Sequence, residues 1–110
     1  MAYDADLAER VRELLAPERG VEEKKMFGGL AFLVNGNMSV CVSGNGGLMV
    51  RVPPEQTEAF LARPHVEPMV MAGRETRGWL RVHVNGIATR RHLSAWVARG
   101  VEHAKALPAK

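Results

Sequence analysis

The chain has 110 residues, of which 46% are hydrophobic and 25% are charged, and its formal net charge at pH 7 is +3. These values indicate one soluble globular domain over residues 1–110, and they exclude disordered, fibrous and membrane-spanning classes, because no apolar run approaches the ~20 residues that cross a bilayer. The acidic N-terminus does not resemble a secretion signal, and the single cysteine, Cys41, cannot form an internal disulfide, so we expect a cytoplasmic protein.

The first half of the chain is predicted to form a helix followed by three antiparallel strands. The helix begins at Asp4 or Asp6, whose carboxylate can accept hydrogen bonds from the first turn, and it ends before Pro17. The predicted strands cover residues 25–34, 38–43 and 48–52, and glycine-rich turns separate them. Strict alternation along the second strand places Met38 among the core-facing residues and Cys41 on the opposite face.

The second half is predicted to add a short helix, two strands and a long final helix. The short helix follows the Pro53-Pro54 pair, and residues 66–71 form an edge strand because Pro68 interrupts them. Residues 72–78 are a polar connection to a last strand at 79–84. Thr89 is the predicted cap of the final helix.

One apolar stripe runs along the final helix, and it must pack against the sheet. Its members are Leu93, Trp96, Val97, Gly100, Val101, Ala104 and Leu107. We expect Trp96 to hold the helix against the sheet, and Gly100 to let the helix approach a neighbour closely. The predicted order, α-β-β-β-α-β-β-α, gives an α+β fold of two layers with a five-stranded antiparallel sheet.

A double glycine interrupts the first predicted strand, in the motif Met26-Phe27-Gly28-Gly29. Gly28 and Gly29 have no side chain to pack in a strand, so the pair indicates a bulge, a sharp bend or the close approach of another backbone. We treat Met26, Phe27, Gly28 and Gly29, with Trp96, as the structural motif of the chain.

This motif, together with the Leu48-Met49-Val50-Arg51 strand, the Pro68-Met69 and Gly78-Trp79 pairs and the final helix, resembles the N-terminal domain of the TfoX/Sxy family of competence regulators. The likeness runs from about residue 5 to about residue 108. It implies a two-layer fold similar to that of the type III secretion chaperones, and a protein that works through contacts with other macromolecules. In the competence regulators this domain precedes a helical C-terminal domain, and the whole protein acts as a coactivator alongside the cyclic AMP receptor protein. The present chain ends at Lys110 and resembles a stand-alone version, and the resemblance supplies no catalytic residue.

No residue pattern predicts catalysis, a cofactor or a metal. The four histidines and Cys41 do not occur at a chelating spacing, and nothing beside Cys41 in sequence suggests a base that would activate its thiol. The glycines lack the spacing of a phosphate-binding loop. We therefore expect a protein that is not an enzyme and that needs neither cofactor nor metal.

The predicted partner contacts centre on Trp79 and the arginines around it, because an aromatic ring among cations can stack on a partner's side chain or on a nucleic-acid base. Met49 is expected on the sheet face opposite the helices, with Cys41, Trp79 and Met69 or Met71. That face would leave an apolar surface for a second copy, in a homodimer, or for a partner helix. The candidate contact residues are Met49, Arg74, Arg77, Trp79 and Arg81.

Two functions are consistent with these observations. The first is a small interaction or regulatory domain that acts through contacts with a protein partner, which the sequence does not identify. The alternative is an accessory protein that binds nucleic acid through its basic second half, since residues 1–62 have a net charge of −3 and residues 63–110 have +6.

Overall fold

A computed structural model describes residues 3–26, 28–44, 46–71 and 73–109, apart from the side chain of Met71; Phe27, Asn45 and Ala72 lie outside the described residues. Within this part, three α-helices accompany one six-stranded antiparallel sheet. The helices are α1 (Ala5–Leu15), α2 (Thr57–Leu61) and α3 (Arg90–Ala106), with 3-10 turns at Pro54–Gln56 and Val84–Gly86. The strands are β1 (Val21–Met26), β2 (Gly29–Val34), β3 (Asn37–Val42), β4 (Leu48–Arg51), β5 (Val66–Met71) and β6 (Arg74–Val82), and their order in the sheet is β1-β2-β3-β4-β6-β5.

The sixth strand arises from the double glycine, and the prediction of five strands was wrong. Gly28 has a φ angle of 70°, and Gly29 pairs directly with Met26. A side chain at Gly29 would collide with β3 and the turn after it, since its Cβ would lie 3.1 Å from both the Val42 carbonyl carbon and the Gly44 nitrogen. The pair therefore marks a tight turn and a close backbone approach, as predicted, and this turn divides residues 21–34 into two strands.

The helices cover one face of the sheet, here called the first face, as the sequence predicted. Asp4 caps α1 by accepting hydrogen bonds from the N–H groups of Asp6 and Leu7 at 3.0 and 3.1 Å, and Thr89 caps α3 by accepting one from the N–H of His92 at 3.1 Å. The buried apolar residues of α1 and α3 join those of the first face in one core cluster. From α1 they are Leu7, Ala8, Val11 and Leu15, and from α3 they are Leu93, Trp96, Val97, Val101 and Ala104.

Helix α3 packs closely on β3 at Gly100. A Cβ at this position would lie 2.9 Å from Val40 Cγ1 and 3.0 Å from the carbonyl carbon of Ser39. The end of α3 is also attached to β3, because Asn37, which is 1% exposed, donates through Nδ2 to the carbonyl of Pro108 at 2.9 Å. The predicted close approach at Gly100 is therefore confirmed.

A bulge at Ser39 moves Met38 away from the first face, where it was wrongly predicted. Phe32 pairs with Val40 but Leu33 pairs with Met38, so Ser39 is an extra residue in β3. The Ser39 hydroxyl donates to the carbonyl of Phe32 at 2.8 Å and occupies the bulge. One extra residue reverses the alternation of side chains, so Met38 lies on the same face as Cys41.

The opposite face of the sheet, here called the second face, has its own apolar cluster. Ala31, Met38, Cys41 and Met49 are buried in it, and four half-buried side chains pack against them: Met26, Leu33, Met69 and Trp79. The second face is therefore closed at its centre by side chains of the sheet itself, and only the surrounding side chains reach solvent.

Strands β5 and β6 form a long hairpin at one edge of the sheet. Pro68 lies in β5, which is an edge strand as predicted, and the register shifts between Pro68 and Val70. Strand β6 already begins at Arg74, so the prediction of a connection over 72–78 was wrong from that residue onward. The last strand ends at Val82, and Val84 belongs to a 3-10 turn.

Candidate functional site

The predicted contact residues lie on or beside strands β4 and β6, but they do not form one cluster. Register places Trp79 opposite Arg51, and Arg81 opposite Met49, so these four side chains share the second face. Arg74 is exposed at the beginning of β6, opposite Met71. The structure therefore brings Trp79 and Arg81 together on one face, beside Met49.

Met49 lies where the sequence predicted, on the second face, but it is only 2% exposed. Its neighbours in the second cluster include the large side chains of Trp79 and Met69, which pack against that cluster. The prediction that Met49 belongs to an exposed apolar surface was therefore wrong. The side chains surrounding the second cluster are accessible instead.

Trp79 and Arg51 form the most distinctive pair on this face. The guanidinium carbon of Arg51 lies 5.3 Å from the centre of the Trp79 ring, which is a cation–π distance. Both side chains are half-buried, and Trp79 also packs against the second apolar cluster. The indole ring is therefore fixed by these contacts, and part of its surface, here called its outer side, reaches solvent.

Arg81 is anchored next to this pair by several contacts. Its Nη2 donates to the carbonyl of Gly46 at 3.2 Å, and its Nε lies 3.7 Å from Oε1 of Glu67 in the neighbouring strand β5. The other carboxylate oxygen of Glu67 lies 3.1 Å from Nε2 of His83. The side chain of Arg81 is only 21% exposed, and these contacts hold it in place.

Arg77 points toward a different element of the fold. Its Nη2 lies 3.1 Å from Oε1 of Glu58 in α2, and both side chains are largely exposed. Helix α2 and β6 are joined beside this pair, because the N–H of Gly78 donates to the hydroxyl of Thr57 at 2.8 Å, and that hydroxyl donates to the carbonyl of Pro54 at 2.7 Å. Arg77 is thus part of the contact between α2 and β6, and it does not join Trp79 and Arg81.

The structure adds Arg51, Glu67 and His83 to the site, and the sequence reasoning did not select them. Arg51 had a usable signal, because alternation already placed it on the same face as Met49. His83 had the same kind of signal, because alternation along the last predicted strand placed it on the face of Trp79 and Arg81. Glu67 lacked one, because its contacts depend on the register between β5 and β6.

Another group of arginines lies on the helical side of the molecule. Arg99 stacks on Trp96, with its guanidinium carbon 4.5 Å from the ring centre, and Arg63 lies 5.8 Å from the centre of Phe60. Burial and the charge of Arg63 lower the pKa of Arg99. Arg90 and Arg91 are exposed at the beginning of α3, whose first turn contains no acidic residue.

Cys41 is fully buried in the second cluster, and this determines its chemistry. Burial raises the pKa of its thiol from 9.0 to about 11, because the thiolate would lose its hydration. A thiol with so high a pKa is a poor nucleophile near neutral pH. The cysteine is therefore a packing residue of the second face.

We expect Cys41 to be unreactive toward a disulfide reagent such as DTNB in the native protein at about pH 8, because the reagent must reach a buried thiol that is protonated at this pH. The protein in denaturant is the control, and it should react completely and fast. Because folding raises the pKa of the Cys41 thiol, the stabilisation that the buried, protonated thiol contributes is complete below about pH 9. This stabilisation is lost as the pH rises toward 11. Rapid reaction of the native protein, at the rate measured in denaturant, would contradict this placement of Cys41.

A metal site requires ligands that lie close together, and a membrane span requires a long apolar helix. No three His, Cys, Asp or Glu side chains come close enough together among the described residues to hold a metal ion. None of the helices described is both long and apolar enough to cross a bilayer.

Comparison with known proteins identifies one family. The model of the family described as the TfoX N-terminal domain matches residues 13–104 of the chain. No curated protein and no solved structure gave a match. The similarity to type III secretion chaperones therefore stays a prediction from the sequence.

Proposed function

Because the chain belongs to the family of the TfoX N-terminal domain, we propose that it is a small regulatory domain, like that of the competence regulators, which acts through contacts with other proteins. The observation that supports a protein contact is the Arg51–Trp79 pair on the second face. Tryptophan and arginine are the residue types that most often dominate the energy of protein interfaces.

The surroundings of this pair favour binding over a purely structural role. Trp79 is held by the second apolar cluster and by Arg51, so a partner that contacts its outer side loses little conformational entropy. Arg81 and Glu67 form a fixed polar margin beside it. A half-buried aromatic side chain with a polar margin is typical of the central contact in a protein interface. Met49 has no part in this surface because it is buried.

The proposal predicts that a protein partner is lost when the outer side of this pair is changed. Purified wild type, Arg51→Gln and Trp79→Leu are immobilised at equal density and used to capture proteins from an extract of the source cells. We expect both variants to retain at least about tenfold less of one defined protein than wild type, as the loss of a hot-spot side chain implies. Leucine keeps an apolar contact to the second cluster, so the fold of Trp79→Leu should persist, and circular dichroism checks it.

The matched control is Arg90→Gln/Arg91→Gln, which removes charge from the exposed beginning of α3, outside the proposed surface. This variant should retain the partner at the wild-type level. Equal capture by wild type, Arg51→Gln and Trp79→Leu would contradict the proposal.

The alternative, an accessory protein that binds nucleic acid, is supported by Arg90 and Arg91. They place two exposed cations at the positive end of a helix, which attracts phosphate. Other basic residues of the second half already have partners, among them Arg77 with Glu58 and Lys105 with Glu18. Treating the extract with nuclease separates the two functions. If nuclease and Arg90→Gln/Arg91→Gln both remove the captured material, the alternative replaces the proposal.

A further inference from the structure

Strand β1 is an open and regular edge of the sheet. It pairs with β2 on one side only, over six residues without a shift of register. The opposite edge differs, since β5 contains Pro68 and a register shift that interrupt further pairing. Proteins commonly protect edge strands with proline, with a bulge or with charged side chains. Strand β1 contains neither proline nor a bulge, and its charged residues, Glu22 to Lys25, repel or attract a second strand according to the register of pairing.

The orientation of the backbone groups of β1 follows from one hydrogen bond at its beginning. The N–H of Asn35 donates to the carbonyl of Gly20 at 3.0 Å, so the backbone of Gly20 points toward the β2 side. In an antiparallel pair this orientation alternates from residue to residue. The N–H and C=O groups that point away from β2 are therefore those of Val21, Glu23 and Lys25.

The side chains of β1 carry a regular pattern of charge. Glu22 and Lys24 lie on the second face, and both are exposed. Glu23 lies on the first face, where its two carboxylate oxygens accept hydrogen bonds from Nε and Nη2 of Arg12 at 2.6 and 2.7 Å. These bonds lower the pKa of Glu23, so its charge is present at neutral pH and is compensated by Arg12.

We propose that two copies of this chain pair through β1 in antiparallel orientation about a two-fold axis at Glu23, which makes one continuous sheet across both copies. This register pairs the free backbone groups of Val21 with those of Lys25 of the partner subunit, and those of Glu23 with Glu23 of the partner subunit. Symmetry also pairs Lys25 with Val21 of the partner subunit, so the three pairs form about six backbone hydrogen bonds, two for each pair. The same register places Glu22 directly opposite Lys24 of the partner subunit, and Lys24 opposite Glu22 of the partner subunit.

Charge selects this register over its neighbours. An axis at Lys24 would place two lysines directly opposite each other, and an axis at Glu22 would do the same with two glutamates. Like charges at directly opposite positions destabilise a strand pair. With the axis at Glu23, the only like-charged residues directly opposite each other are the two Glu23 carboxylates, and each is held by the Arg12 of its own chain. The contact is independent of the surface around Arg51 and Trp79, so either proposal can fail without the other.

Changing the charges of Glu22 and Lys24 tests the proposal, because a single change should weaken the dimer and the double exchange should restore it. The association of wild type, Glu22→Lys, Lys24→Glu and the double variant Glu22→Lys/Lys24→Glu is measured by sedimentation equilibrium at concentrations up to about 500 μM, a range suited to a small interface. We expect wild type and the double variant to dimerise alike. Each single variant should dissociate at least about tenfold more readily, because both symmetric pairs become repulsive.

The two single variants mixed in equal amounts give the sharpest result. Glu22→Lys then has two lysines facing the two glutamates of Lys24→Glu, so we expect a heterodimer at least as stable as the wild-type dimer. Arg74→Glu, a charge change on an exposed residue of β6, is the control and should leave dimerisation unchanged. A wild type that stays monomeric over the whole range, single variants that dimerise like wild type, or a mixture that stays monomeric would each overturn the proposal.

Discussion

Replacing Trp96 with alanine is expected to lower the free energy of unfolding by about 3–5 kcal/mol, the range for a large aromatic side chain removed from a core. Trp96 is only 6% exposed, and its ring contacts Phe60 edge-to-face, with ring centres 5.5 Å apart. The loss is large because three contacts disappear together: the packing of α3 on the sheet, the contact to Phe60 in α2, and the stacking of Arg99 at 4.5 Å.

Urea unfolding followed by circular dichroism measures this loss without depending on tryptophan fluorescence. The matched control is Trp79→Ala, which removes the chain's other tryptophan from a half-buried position and should cost clearly less. Trp96→Phe keeps an aromatic contact and should lie between wild type and Trp96→Ala. A loss below about 1 kcal/mol for Trp96→Ala, as at exposed positions, would show that α3 is not held by this side chain.

Gly100→Ala is expected to destabilise the protein by about 1–3 kcal/mol, although alanine is the better helix former by up to about 1 kcal/mol. The added methyl group would have to occupy space already filled by the backbone of Ser39 and by Val40 Cγ1, which would be only 2.9 Å away. The Ser39 backbone cannot withdraw easily, because its hydroxyl holds the bulge by bonding to Phe32.

The opposite substitution on the same helix provides the control. Ala98 is exposed in α3, so Ala98→Gly should cost about 1 kcal/mol through helix propensity alone. Both substitutions should therefore lower the midpoint of urea unfolding, although they have opposite effects on propensity. An increase in stability for Gly100→Ala would show that α3 and β3 are further apart than the structure places them.

The parts of the fold that sequence predicted correctly depend on local signals. Asp4 and Thr89 cap their helices because a side-chain oxygen bonds to N–H groups only two or three residues away. The burial of Trp96 and the close approach at Gly100 follow from the apolar stripe of one helix. The family was also recognisable, because its motifs are short and contiguous in the chain.

The errors in the predicted fold arise where contacts between residues that are distant in sequence determine the local structure. Residues 22–25 are charged and exposed, so no apolar alternation marks them as strand, and only pairing with β2 makes them one. The bulge at Ser39 depends on a hydrogen bond to Phe32 in another strand, and without it Met38 would face the helices.

The site was predicted less completely than the fold, for a related reason. Alternation placed Arg51 and Trp79 on one face, but only the register between β4 and β6 makes them neighbours. Met49 was expected to be exposed because it was placed on the sheet face opposite the helices. In the structure, neighbouring side chains of the same sheet cover Met49. The sequence does not directly show how far one side chain of a sheet covers another.

The second apolar cluster is also rich in sulfur, and the burial of each sulfur atom determines how readily an oxidant reacts with it. Cys41, Met38 and Met49 are at most 7% exposed, whereas Met26 and Met69 are half-buried around them. Peroxide would reach the thioethers of Met26 and Met69 first and convert them to polar sulfoxides, which repair enzymes can reduce again. These two methionines would thus be oxidised before the buried sulfur atoms of Met38, Cys41 and Met49.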